Sequence, residues 1–219
     1  VVFADADLDA AAEVAVRHSL RNTGQVCCAV ERVYVEESAA AAFEEKVAAL
    51  AADWQHGDGF DEASKMGPLV SEGQREKVVA QVDAAVADGA RLVLGGSSPE
   101  GAGWYYPATV LADVSSEQRI SHDETFGPVV SLSVFDGSEE EAVRLANDTP
   151  YGLAAYLQTG DANRAQRVAT RLRAGAIHIN GGDFNYGSPF GGYKQSGNGR
   201  EGGLMGLEDF LETKTLHGI

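Results

Sequence analysis

Two hydrophobic periods alternate along this chain, and that alternation limits its fold more than any other feature. Arg32 to Glu36 sets polar residues against Val33 and Val35, and Arg91–Leu94, Val129–Phe135, Leu153–Leu157 and Ala176–Asn180 also read as strands. Between them apolar residues recur at helical spacing. Leu8, Ala12, Ala15, Val16 and Leu20 follow a capping Asp7, and Phe43, Val47, Leu50 and Ala51 follow Ser38 as a helix start. Ser71-Glu72-Gly73-Gln74 and Ser138-Glu139-Glu140-Glu141 are capping-box patterns that open two more helices, and Asp161 caps one carrying Ala165, Val168, Ala169 and Leu172. Strands alternating with helices predict an α/β fold, a largely parallel sheet flanked by helices.

Charge and cysteine content narrow the function classes. The chain has 17 Lys+Arg against 33 Asp+Glu, a formal net charge of −16. Such a surface repels phosphate backbones and anionic lipid, so neither nucleic acid nor a membrane is an expected partner. No apolar run approaches the ~18 residues of a membrane span. Two adjacent cysteines cannot build a disulfide framework, which places the chain in a reducing, cytoplasmic compartment. The five histidines (His18, His56, His122, His178 and His217) stand at no ligand spacing from the cysteines, so no metal is expected. The sequence opens inside an apolar run, Val1-Val2-Phe3, and reads as if cut from something longer.

Three segments have the composition of sites. Residues Gly181 to Gly206 hold 10 of the 26 glycines, a density that argues against a regular element, yet they are punctuated by Phe184, Tyr186, Phe190, Tyr193 and Leu204. No Gly-x-Gly-x-x-Gly lies between a strand and a helix and no P-loop occurs, which excludes a nucleotide phosphate site of either kind. Asn22-Thr23-Gly24-Gln25-Val26-Cys27-Cys28 sits at a helix–strand junction; on spacing alone its cysteines are either a buried packing pair or a ligand-facing thiol. His122-Asp123-Glu124-Thr125-Phe126-Gly127-Pro128 is either a polar loop closed by a Gly-Pro turn or a carboxylate and ring set to hold a sugar and a heterocycle.

Taken in order, Gly24-Gln25-Val26-Cys27, Glu124-Thr125-Phe126-Gly127-Pro128 and Pro189-Phe190-Gly191-Gly192-Tyr193-Lys194-Gln195-Ser196-Gly197 resemble the aldehyde dehydrogenase superfamily. The likeness runs from Asp5-Ala6-Asp7-Leu8-Asp9 to Gly199-Arg200-Glu201-Gly202-Gly203 and Leu207-Glu208. It implies a catalytic cysteine domain in which Cys27 is the nucleophile and Cys28 a neighbour without a role. It further implies Glu124 on the nicotinamide ribose of NAD or NADP, Phe126 beside the nicotinamide, and Gln74 and Lys77 near the adenosine ribose. Asp183, Phe184, Tyr186 and Phe190 belong to the family's aldehyde-side loop, where Phe190 and Lys194 also read as architecture. The resemblance divides the chain into a catalytic domain, 1–210, and a short C-terminal oligomerisation strand, 211–219, which implies a homo-dimer or tetramer in the parent enzyme. The family's dinucleotide-binding domain, oxyanion Asn and general-base Glu precede the stretch that this chain resembles, so the expectation is a partial chain inactive in hydride transfer. The rival readings are a cofactor-independent cysteine esterase or thioesterase, and a non-catalytic assembly domain.

Overall fold

The computed structural model describes residues 1–218; Ile219, the last residue of the expected C-terminal strand, lies outside the described residues. The helices are α1 (Leu8–Leu20), α2 (Ala40–Ala52), α3 (Glu72–Ala87), α4 (Glu139–Asn147), α5 (Ala162–Ala169) and α6 (Gly203–Glu208). The strands are β1 (Arg32–Glu36), β2 (Arg91–Leu94), β3 (Thr109–Ala112), β4 (Val129–Phe135), β5 (Ala154–Leu157) and β6 (Ala176–Ile179). Four strands pair in the order β1-β4-β3-β2, and β5 pairs with β6. Every pairing is parallel except β2 with β3.

The opening residues join these two pieces. Val2 bridges Val35 of β1 on one side and Gln158, just past β5, on the other, both in parallel. Its N–H donates to the Tyr34 carbonyl (2.8 Å), its carbonyl accepts from Glu36 N–H (2.9 Å), and Phe3 N–H donates to Gln158 (3.0 Å). The apolar Val1-Val2-Phe3 run therefore lies between β1 and β5, and all six strands form one hydrogen-bonded layer. Alternation within the strands fills both faces. Val33 and Val35 pack with Val130 and Leu132 against α1 and α2, whereas Tyr34 and Phe135 meet α4 and α5, and Leu111 and Val129 meet α3.

The helix caps follow the sequence. Asp7, Ser71, Ser138 and Asp161 each accept backbone N–H bonds at the starts of α1, α3, α4 and α5. Ser38 is the exception: its hydroxyl donates to Glu36, residues Glu37–Ala39 form a 3-10 turn, and α2 begins only at Ala40. The glycine-rich segment also departs from expectation, because it ends in a helix that starts at Gly203. A β-carbon on Gly203 would lie 2.5 Å from the Gly187 carbonyl oxygen, and one on Gly206 2.7 Å from the Glu201 backbone, so these glycines are there for close packing. Residues 211–218 contribute to no strand in the chain itself.

Candidate active site

The cysteine turn is built from backbone that most residues avoid. After α1, Asn22 (φ 53°), Thr23 (φ 59°) and Gly24 (φ 72°) all adopt left-handed conformations. Such geometry costs about 1–2 kcal/mol at a residue with a β-carbon and must be held by neighbours. Asn22 and Gln25 exchange side-chain-to-carbonyl bonds (3.0 and 3.1 Å), Thr23 Oγ1 donates to Gly67 (3.0 Å), and Gln25 Oε1 accepts Val70 N–H (2.8 Å). The chain then turns through Cys27 and Cys28, closed by Ala29 N–H on the Val26 carbonyl (2.8 Å). Cys27 is exposed, Cys28 is half-buried, and their sulfurs are 3.7 Å apart.

Glu124, 97 positions further along the chain, lines the same ≈390 Å³ cavity as Cys27. The loop that carries it is gripped from both sides. The Glu31 carboxylate, which the sequence reading passed over, accepts Thr125 N–H (3.0 Å) and Phe126 N–H (2.8 Å), with Phe126 at φ 52°. Gln74 Nε2 donates to the Thr125 and Phe126 carbonyls (2.9 Å each), and Lys77 Nζ to the Glu124 carbonyl (2.7 Å). The polar ends of Gln74 and Lys77 are thus engaged by the loop backbone, while no hydrogen bond or ion pair within the described residues occupies the Glu124 carboxylate. Burial pushes the Glu31 carboxyl above its usual range, against the pull of the two N–H groups. Only the pattern of a buried acid beside the strand start could have flagged Glu31, and one sequence does not show burial.

The two loops also touch directly. A β-carbon on Gly24 would lie 2.0 Å from the Gly127 carbonyl oxygen, and one on Gly127 2.5 Å from a Val78 methyl. Glycine at both positions therefore lets the cysteine turn and the Glu124 loop sit against each other and against α3.

Behind the turn, Tyr156 Oη donates to the Cys28 carbonyl (3.0 Å) and lies 3.3 Å from His18 Nδ1, while Arg17 meets His18 Nε2 at 3.4 Å. The His18, Tyr156 and His178 rings pack in series, with centroids 4.8 and 4.9 Å apart. Arg17 can only donate, so His18 accepts at Nε2 and carries its proton on Nδ1. Burial, then the Arg17 cation, pushes the His18 pKa down to about 4, which keeps the ring neutral at neutral pH. Burial is also the leading cause of the shifts that push the Tyr156 hydroxyl to about 12 and the Cys28 thiol to about 11.

Of the residues expected on the aldehyde side, Phe184, Tyr186 and Phe190 pack together. Phe184 packs edge-on against Tyr186 (5.3 Å) and Phe190 (5.9 Å), and none of Asp183, Phe184, Tyr186 or Phe190 lines the cysteine cavity; nor does Phe126. Phe190 pairs its backbone with Glu201, and Lys194 Nζ donates to the Asn147 and Thr149 carbonyls, both architectural roles. Among the described residues no group of three His, Cys, Asp or Glu could hold a metal ion, and no helix is long and apolar enough to cross a membrane.

The profile of the aldehyde dehydrogenase family matches residues 1–216. The chain belongs to the aldehyde dehydrogenase family. It is 46% identical over 217 residues to a succinate-semialdehyde dehydrogenase of Paenarthrobacter nicotinovorans, covering 99% of this chain and 48% of that protein. Against the succinate semialdehyde dehydrogenase [NAD(P)+] of Escherichia coli it is 42% identical over 219 residues, 99% of this chain and 47% of the other. A solved betaine aldehyde dehydrogenase of Staphylococcus aureus in complex with NAD+ superposes with a TM-score of 0.92 at 38% identity, covering 97% of this chain and 43% of that one. The chain therefore spans about half the length of the relatives it matches, and its α/β sheet with flanking helices is the fold of this dehydrogenase family.

Proposed function

We propose that the chain is the catalytic half of an NAD(P)-dependent aldehyde dehydrogenase with Cys27 as nucleophile. One observation carries the reading: an exposed thiol and an unengaged carboxylate, Cys27 and Glu124, line one cavity on two loops locked together. Cys27 Sγ adds to the aldehyde carbonyl to give a thiohemiacetal. The Cys27 backbone N–H has no acceptor among the described residues and is free to donate to the oxygen on which negative charge develops. The chemistry that NAD or NADP would supply here is a hydride acceptor for the thiohemiacetal carbon. Cys27 then holds the acyl group as a thioester until water releases the acid. Glu124 would hold the nicotinamide ribose through its carboxylate and Phe126 would pack near the ring, both kept in place by Glu31, Gln74 and Lys77.

An esterase would need a base at the thiol, yet His18 is committed to Arg17 and Tyr156 and reaches only the Cys28 carbonyl through the tyrosine. Exposed Leu204, Phe210, Leu211 and Leu216 support an oligomer formed through the C-terminal segment.

The test is aldehyde turnover by the enzyme that carries this chain. Cys27→Ala should lower kcat by roughly 10³-fold or more, on the scale of losing a covalent nucleophile, and Cys28→Ala should leave most of it; retained turnover in Cys27→Ala overturns the assignment. Residues 1–219 alone, given NAD and short aldehydes, should form no NADH.

A further inference from the structure

Two Asn-Gly pairs occur in the chain, Asn180-Gly181 and Asn198-Gly199. Asparagine followed by glycine is open to an internal reaction, because a second residue without a β-carbon lets its backbone nitrogen reach the carboxamide carbon of the first. The fold treats the two pairs differently. Just after β6, Asn180 Oδ1 accepts Thr159 N–H (3.0 Å) and Nδ2 donates to the Thr159 carbonyl (2.9 Å), so both ends of this carboxamide are tied to the backbone past β5. Asn198 is exposed on a bend, and among the described residues neither its carboxamide nor the Gly199 N–H makes a hydrogen bond. We propose that Asn198 is a modification site, where the carboxamide converts without an enzyme to aspartate and isoaspartate through a succinimide, whereas Asn180 is protected. The proposal does not depend on the role of Cys27.

The chemistry needs only water. The Gly199 nitrogen gives up its proton and attacks Asn198 Cγ; a new C–N bond forms, and the carboxamide nitrogen leaves with that proton as ammonia. Water then opens the succinimide ring at either carbonyl, and nothing is oxidised or reduced. Opening at the side-chain carbonyl gives aspartate on an unchanged backbone. Opening at the main-chain carbonyl gives isoaspartate, in which the chain runs through the former side chain and the former main-chain carbonyl becomes a free carboxylate.

The surroundings determine what this change does. Phe190 and Glu201 exchange backbone bonds (2.7 and 2.8 Å) that close the loop, and inside it Arg200 Nη1 donates to the carbonyls of Gly192 (2.9 Å), Asn198 (3.2 Å) and Gly199 (2.9 Å). Isoaspartate turns one of these acceptors, the Asn198 carbonyl, into a carboxylate facing the guanidinium, so a charge-assisted bond replaces a neutral one. It also adds a methylene to the backbone between Asn198 Cα and Gly199, two groups that this clamp holds in register. A β-carbon on Gly191 would lie 2.1 Å from the Gly199 carbonyl oxygen, so the loop has no slack there. The extra length is therefore taken up in the limb that brings Glu201 back to Phe190.

The experiment holds the folded enzyme that carries this chain, and a guanidinium-denatured sample of it, at mildly alkaline pH for several days, then digests both with trypsin for mass spectrometry. Cleavage after Arg173, Lys194 and Arg200 places the two sites in separate peptides, Ala174–Lys194 and Gln195–Arg200. In the folded enzyme Gln195–Arg200 should gain about one mass unit at Asn198 and accept a methyl group from protein isoaspartate methyltransferase, while Ala174–Lys194 stays unchanged. In the denatured sample both peptides should convert. Gly199→Ala should slow the conversion of Asn198 several-fold; its β-carbon would lie 3.6 Å from Asp209 Oδ2, an ordinary contact that the fold accommodates. A folded enzyme in which Asn198 converts no faster than Asn180 overturns the proposal, and so does a Gly199→Ala variant that converts as fast as the wild type.

Discussion

The cysteine turn with its Glu124 partner and the glycine-rich segment 181–206 are both irregular, but they are held by different physics. In the first, side chains bind backbone: Glu31, Gln74 and Lys77 hold main-chain groups of the Glu124 loop, while Thr23 and Gln25 tie the cysteine turn to the Gly67 and Val70 backbone. In the second, backbone packs on backbone where side chains are missing. A β-carbon on Gly175 would lie 1.7 Å from the Gly191 carbonyl oxygen, and one on Gly191 2.1 Å from that of Gly199, while Phe184 and Tyr186 are left exposed. The first arrangement fixes the Cys27 and Glu124 side chains; the second fixes a loop's path and leaves its tips exposed.

Gly24→Ala should show the largest effect, because it attacks the point where the rigid region closes. The new methyl would meet the Gly127 carbonyl from a left-handed backbone at φ 72°. Overpacking and the conformational penalty together are expected to cost roughly 2–5 kcal/mol, read as a fall in the urea midpoint, with slower iodoacetamide labelling of Cys27. A neutral result would mean that the two loops are not locked together.

Glu31 probes the same region from beneath. Glu31→Ala leaves Thr125 and Phe126 N–H without their acceptor, about 1–3 kcal/mol for each group that stays dry. Glu31→Gln keeps an acceptor and should cost less, with a pH signature. Burial raises the folded-state pKa of this carboxyl, so the folded chain binds its proton to higher pH than the unfolded chain. The stability this contributes is complete in acid below the unfolded value and is lost as pH rises through the raised one. The urea-midpoint gap between wild type and Glu31→Gln should therefore be widest in mild acid and close toward neutral pH. A gap that widens toward neutral pH would show that the two N–H bonds outweigh burial at Glu31.

Local signals made much of this legible. β1, β2 and β4 begin and end where their patterns do, and Asp7, Ser71, Ser138 and Asp161 cap as their spacing implies. What stayed hidden depended on distant partners. β3 is four buried residues with no alternation to betray it, and it carries the sheet's single antiparallel pairing. α6 starts among glycines whose purpose is visible only once Gly187 and Glu201 lie against them. At the site, the order of motifs pointed to Cys27 and Glu124, but Glu31 carries no motif, and the bonds of Gln74 and Lys77 to the Glu124 loop cross about fifty residues.

The smallest effect on stability belongs to the glycine-rich side. Tyr186 is 88% exposed and Phe184 45%, joined by an edge-on contact that is largely solvated. Tyr186→Ala should shift stability by no more than about 0.5 kcal/mol, as for a surface change away from caps and core. If this loop contacts the aldehyde tail, the same substitution should raise KM for the aldehyde while leaving the iodoacetamide rate of Cys27 unchanged, since no bond of the cysteine turn passes through residue 186. A changed labelling rate with an unchanged KM would reverse the comparison, making the glycine-rich segment part of the frame that holds the thiol rather than a surface read by the substrate.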